Sequence, residues 1–169
     1  MDLYVVRHAV AHQRDKSTWP NDSERPLTAE GEEKFRRAAR GILQLVPKIG
    51  VVLSSPFART WRTAEILEQS GWPAPVPCEE LEPGYPSHKV LGTLTHYADV
   101  DSVAIIGHRP GLHELVSYLL TADTISEDCG ARIQIKKGGA AHLSFDGLLE
   151  PGTGSLEWVL TPKVLQKIG

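Results

Sequence analysis

Short apolar runs that break off at polar residues alternate along this chain with segments whose apolar positions recur every three or four residues. Leu3, Tyr4, Val5 and Val6 form the first run, so residues 2–6 read as a buried strand. Residues 9–27 are polar and carry Asp15, Ser17, Pro20, Asn21, Asp22, Ser23 and Pro26, which predicts a loop. Thr28 is placed to cap a helix, with Glu30, Glu32 and Glu33 in its first turns, where the helix dipole favours acids. Phe35, Ala38, Ala39, Ile42, Leu43 and Val46 follow at helical spacing, and Pro47 and Gly50 close the helix.

The alternation repeats. Val51, Val52 and Leu53 make a second apolar run that ends in Ser54-Ser55-Pro56, and a helix carrying Ala58, Trp61, Ala64, Ile66 and Leu67 runs on to Gly71. Residues 72–86 are proline-rich and read as loop with room for one short strand; residues 87–98 are weakly helical. Val103 to Ile106 form a third run ending in Gly107-His108, and Pro110 suits the first turn of a helix carrying Leu112, Leu115, Val116, Leu119 and Leu120. Residues 139–146 and 155–161 read as two late strands paired through the Gly147–Gly154 region. Strands each followed by a helix predict an α/β fold: a three-layer α/β/α sandwich, with a mostly parallel sheet, helices on both faces and an antiparallel edge from the late strands. No repeat or linker divides residues 1–169, so one domain is expected.

The ends of the three early strands carry the chemistry. The first ends in Arg7-His8. The second leads to Arg59, one turn into the next helix, and the third ends at His108. Parallel strands present such ends along one sheet edge, where open α/β proteins bind ligands. Two imidazoles and two guanidiniums beside helix N-termini make a place for phosphate, because arginine forks match its oxygens. Neighbouring arginines disfavour an imidazolium, which keeps His8 neutral and available as a nucleophile. His108 is placed to stabilise the transferring group.

Composition narrows the classes. The formal charge of −3 gives no basic footprint for nucleic acid, so no nucleic-acid partner is expected. No apolar run approaches the roughly 20 residues of a membrane span, and the start of the chain lacks the pattern of a secretory leader. Cys78 and Cys129 stand far apart in no metal-binding spacing, which fits a reducing cytoplasm.

Four segments then resemble the histidine phosphatase superfamily, in that family's order. Val6-Arg7-His8-Ala9 resembles its Arg-His-Gly signature. Arg25-Pro26-Leu27-Thr28-Ala29-Glu30-Gly31 is similar to the segment entering its first helix, and residues 54–65 to its second block. Ile106-Gly107-His108-Arg109-Pro110-Gly111-Leu112 is similar to its Gly-His-Asn-Pro block. The short spacing between the second and third blocks is most like the SixA-type phosphohistidine phosphatases. The resemblance implies His8 as nucleophile, Arg7 and Arg59 as holders of the phosphoryl oxygens, and His108 completing the pocket, with no cofactor. The implied partner is a phosphohistidine protein. A small or nucleotide phosphate is the second reading, and a catalytically inactive phosphate-binding module the third. A mutase is not expected, since the chain has no room for insertions that close over a sugar.

Three departures stand out. Ala9 replaces glycine, which is compatible only with a backbone outside the left-handed region. Arg109 replaces asparagine. Pro83 occupies the place where the family's larger branches carry a glutamate general acid; Glu82 beside it reads as a solvated loop acid, and a phosphorylated imidazole, once its ring is protonated, leaves with little acid help. The sequence leaves open whether Arg14 reaches the phosphate. His12, four residues after His8, is read as loop rather than metal ligand, because neighbouring arginines oppose a cation. Arg62 is expected at the surface, His88, His96, His113 and His142 as surface or structural, Trp61 and Trp158 as packing, Trp19 near the mouth, and Lys136-Lys137 as a solvated pair.

Overall fold

In the computed structural model, which describes residues 1–123 and 133–169, the apolar runs become the strands of one six-stranded sheet. The strands β1 (Asp2–Arg7), β2 (Val51–Ser54), β3 (Val76–Pro77), β4 (Ser102–Gly107), β5 (Ala140–Ser144) and β6 (Ser155–Leu160) lie in the order β3-β2-β4-β1-β5-β6. From β3 to β1 the pairing is parallel, while β5 and β6 pair antiparallel at the far edge. The helices are α1 (Ala29–Leu45), α2 (Ala58–Ser70), α3 (Ser87–Thr95), α4 (Gly111–Thr121) and α5 (Pro162–Ile168).

Strand alternation sorts the core into two layers. Leu3 and Val5 of β1 join Val103 and Ile105 of β4 on one face, against Val90 and Leu94 of α3 and Leu112, Leu115 and Leu119 of α4. Val6, Ala104 and Ile106 face the other way, against Phe35 and Ile42 of α1, Ile66 and Leu67 of α2 and Leu165 of α5. Each fully buried leucine or isoleucine contributes about 1.5–3 kcal/mol, so a one-residue slip of β1 or β4 would forfeit both faces at once.

The predicted cap is present: the Thr28 side chain accepts the Gly31 amide of α1. Pro110 precedes α4 as its N-cap residue rather than sitting inside the first turn. The α5 helix lies beyond the last strand, where the sequence pattern predicts no further element. It packs into α1 so closely that a Cβ on Gly41 would collide with the Leu165 carbonyl. Gly138, at φ +73, supplies a left-handed turn before β5, and its amide donates to the carbonyls of Arg7 (3.0 Å) and His8 (3.1 Å). Cys129 lies outside the described residues. Among those residues, no helix is long and apolar enough to cross a membrane.

Candidate active site

Strand register brings the polar strand ends level. Arg7 pairs with Gly107 across β1 and β4, and Ser54 with Ile106 across β2 and β4. The chain stays tied for one residue beyond each outer strand: the His8 amide donates to the Gly107 carbonyl (3.2 Å) and the Ser55 amide to the Ile106 carbonyl (3.1 Å). The central strand β4 therefore fixes His8 at the end of β1 and Ser55 at the end of β2, and itself runs into His108.

His8 is 6% exposed. Its Nδ1 lies 2.7 Å from the Ala9 carbonyl. A carbonyl only accepts, so in the neutral ring Nδ1 carries the proton and Nε2 keeps its lone pair. Burial pushes the His8 pKa down to about 3; Arg59, Arg7 and Lys137 add to the drop, and the Ala9 carbonyl opposes it.

The His108 ring stands 5.2 Å from that of His8, centroid to centroid. Its Nε2 lies 2.9 Å from Thr60 Oγ1 and 3.1 Å from Ser55 Oγ. Ser55 Oγ accepts the Phe57 amide at 3.4 Å and keeps its O–H free to donate to His108. In the tautomer where a hydroxyl donates to Nε2, the ring proton sits on Nδ1. Burial, then the neighbouring His8 and Arg59, push the His108 pKa down to about 2.

The two arginines are anchored through their outer nitrogens. Arg7 Nη1 donates to the Ile135 carbonyl at 3.0 Å, and burial with nearby Arg109 lowers its pKa to about 10. Arg59 is the second residue of α2, not a full turn in as the spacing suggests. Its Nη1 donates to the Asp22 carbonyl (2.8 Å) and its Nη2 to the Asp22 carboxylate (3.1 Å). The same carboxylate accepts Arg25 Nε at 2.9 Å and stands 3.7 Å from Arg14 Nε. The hydrogen bond from Arg25, with the charges of Arg59, Arg25 and Arg14, holds Asp22 below its usual range. Among the described residues, three buried polar side-chain atoms have no hydrogen-bond partner: Arg7 Nε, Arg59 Nε and His108 Nδ1. All three belong to the residues grouped around His8.

The structure thus brings together His8, Arg7, Arg59 and His108. Ala9 lies outside the left-handed region; among described residues Ala122 is the non-glycine residue that enters it. The Ala9 amide donates to Thr63 Oγ1 (3.1 Å), which donates to the Arg59 carbonyl (2.7 Å) and so joins the end of β1 to the first turn of α2. Arg109 is exposed at the rim, and Arg14 reaches the site's edge through Asp22. Glu82 lines a small recess that also touches His108. Arg62 is held between Glu32 and Glu65 instead of lying free at the surface. His12 packs beside Trp19, His113 accepts the Ile135 amide in the interior, and His142 stacks on Tyr4 while facing Asp2. Sequence reasoning misses the contribution of Asp22, the two hydroxyls that orient His108 and the proximity of Lys137 to His8.

Comparison with known proteins places the chain by family and fold. The model of the histidine phosphatase superfamily (branch 1) matches residues 3–82. An uncharacterized protein of Picosynechococcus sp. is 30% identical over 146 residues, covering 85% of this chain and 84% of that protein. The structure of the protein histidine phosphatase SixA complexed with tungstate has a TM-score of 0.81 at 27% identity, over 98% of this chain and 99% of that one. The α-ribazole phosphatase of Shigella flexneri has a TM-score of 0.67 at 14% identity over 96% and 97% of the two chains, a likeness of fold alone. The chain belongs to the histidine phosphatase superfamily, whose members are phosphatases and mutases.

Proposed function

We propose that this protein is a phosphatase that forms a covalent phosphohistidine on His8 and acts on phosphohistidine in a signalling protein. One observation carries the reading. Arg7 Nε, Arg59 Nε and His108 Nδ1 are buried without a protein partner, around a histidine whose Nε2 is unprotonated. Each unpaired buried donor costs about 1–3 kcal/mol, and a tetrahedral oxyanion against His8 would pair all three.

In the proposed reaction the Nε2 lone pair of His8 attacks phosphorus. The substrate imidazole carries a proton on its other ring nitrogen. A new N–P bond forms as the substrate's N–P bond breaks, and the imidazole departs neutral with that proton. Arg7, Arg59 and His108 take the charge on the phosphoryl oxygens. Water then attacks phosphorus, the His8 N–P bond breaks, and orthophosphate leaves with the released proton going to solvent. A ring-protonated imidazole leaving group needs little help from an acid, which suits a site with Pro83 at the position where the family's larger branches carry one. The similarity to SixA, the protein histidine phosphatase, supports this substrate class. The reading requires no metal and places the enzyme in the cytoplasm, where the buried Cys78 thiol, pushed up to about 12 mainly by burial, stays reduced.

A second reading, hydrolysis of a small phosphate bearing further anionic groups, is favoured by the cations Arg14, Arg25, Arg109 and Lys137 around the site. The test is incubation with phosphoramidate in EDTA, a quench, and mass spectrometry for an acid-labile phosphate on His8. Label in wild type and none in His8→Ala is the expected result. Phosphate binding without a phosphoenzyme or turnover would leave an inactive binding module. Relative kcat/KM on a phosphohistidine protein and on small phosphates separates the two enzymatic readings.

A further inference from the structure

A groove of about 250 Å³ opens where α1, α5 and the turn before β5 meet. Its floor is apolar: Val10, Phe35 and Pro162 line it, with Ala9 and Gly138 on the side of the catalytic strand end. Val10 is 40% exposed although it directly follows the chain that carries His8. Lys34, Lys137 and Lys163 stand along its walls. Lys34 pairs with Glu30. Among the described residues, neither Lys137 nor Lys163 has a carboxylate within ion-pair distance. Burial, together with the charges of Arg7, Arg25, Arg109 and Arg59, holds the Lys137 ammonium below its usual value. An arriving carboxylate would relieve that crowding of like charge.

We infer that this groove is a docking track for an acidic segment of the substrate protein, lying next to its phosphohistidine. The inference rests on the phosphohistidine reading above and deepens it. The groove shares a wall with the catalytic site, because Gly138 bonds the carbonyls of both Arg7 and His8. A chain whose phosphoryl group sits against His8 can therefore run on past Ala9 into the groove. Apolar side chains of that segment meet Val10 and Phe35. Its Asp or Glu residues meet chiefly Lys163 and Lys34, whose exposed pair with Glu30 can exchange partners, with Lys137 at the end nearest His8. Electrostatic complementarity of this kind selects among partners and speeds encounter more than it adds raw affinity. The cationic rim also explains how a chain of net charge −3 presents a positive face to an acidic partner.

The test uses two phosphohistidine peptides of equal length, one flanked by Asp and Glu and one by Ser, with phosphoramidate as a third substrate. Wild type is expected to prefer the acidic peptide by roughly fivefold to tenfold in kcat/KM, through KM, with the preference shrinking as salt rises. The double variant Lys34→Glu/Lys163→Glu is expected to lose that preference and to turn over phosphoramidate within about twofold of wild type. An equal rate on both peptides, or a preference that survives the double variant, would overturn the inference. Fluorescence anisotropy of the unphosphorylated acidic peptide, wild type against double variant, tests the groove without any catalysis. Binding there with no turnover of any substrate would sink the phosphatase reading and leave the groove standing. Charge-dependent binding of inorganic tripolyphosphate in place of the peptide would show that the groove serves a small polyanion instead.

Discussion

Arg59 donates to Asp22 twice, from Nη1 to its carbonyl at 2.8 Å and from Nη2 to its carboxylate at 3.1 Å, across 37 positions of sequence. The pair joins the first turn of α2 to the polar loop that precedes α1. It also leaves the Nε edge of Arg59 unpaired beside His8 and His108. Asp22 thus orients a buried guanidinium whose free edge is the part offered to a phosphoryl group.

Replacing Asp22 with Ala removes that orientation and the counter-charge of Arg59, Arg25 and Arg14. The expected outcome is a loss of about tenfold in kcat, since misplacing a positioning group costs rate even when the reacting atoms remain. Stability should fall by about 1–2 kcal/mol, because a buried cation loses its partner. Asp22→Asn, which keeps one acceptor, should fall between. Steady-state kinetics and urea midpoints check both; an Asp22→Ala enzyme with wild-type kcat would remove Asp22 from the account.

The hydroxyls on His108 give a second prediction. Thr60→Val keeps the volume and deletes one of the two partners of Nε2. A loss of about tenfold in kcat is expected, and of about a hundredfold when combined with Ser55→Ala, with KM little changed. Nitrogen shifts of His108 read the cause directly: the share of ring with its proton on Nδ1 should drop in the double variant. Unchanged shifts alongside lost activity would show that the hydroxyls act elsewhere.

Stability should depend on pH through the buried histidines. An unfolded histidine titrates near 6.5. His8 in the folded protein is pushed down to about 3 and His108 to about 2, in both cases chiefly by burial. Between those values and 6.5 the unfolded chain binds protons that the native protein refuses. Stability is therefore complete above about 7 and is lost as pH falls through 6.5, by up to about 1.4 kcal/mol per pH unit for each histidine. Asp22, held below its usual range mainly by its hydrogen bond from Arg25, adds a further loss only below about pH 4. Urea midpoints at pH 7 and pH 5 test this. The His8→Asn/His108→Asn protein should show a flatter dependence, and identical wild-type midpoints at the two pH values would contradict the buried neutral pair.

Gly41 offers a check away from the site. Alanine there drives a methyl into the Leu165 carbonyl where α5 crosses α1. The expected cost is about 1–3 kcal/mol, or about 3–10 °C in Tm for a chain of this size, with kcat per folded molecule preserved. Thermal unfolding monitored beside an activity assay separates the two effects.

Much of the site is legible in the sequence because its residues end local patterns. Arg7-His8 and Gly107-His108 each terminate an apolar run, and sheet pairing alone brings such ends level. Asp22 is not legible. Within the sequence it is one polar residue of a turn-rich loop, and its role arises from a contact 37 positions away. The same holds for Thr60 and Ser55, which reach His108 across 48 and 53 positions. The α5 helix escapes because seven residues make fewer than two turns, too few for a 3.6-residue period to declare itself. Only Thr161-Pro162, a cap residue followed by proline, marks its start. That short helix supplies Pro162 and Lys163 to the groove, so the proposed recognition surface is invisible where the proposed catalytic one is plain.

β4 is synthesised after β1 and β2 and yet lies between them. A nascent chain that has emerged only as far as α2 already owns the histidine and both guanidiniums, but lacks the strand that holds the ends of β1 and β2 level. Insertion of one late strand supplies the ties at Gly107 and Ile106 and delivers the second imidazole in the same event. On the proposed reading, phosphoryl transfer by a newly made molecule therefore waits at least for β4, the strand that joins the end of β1 to the end of β2.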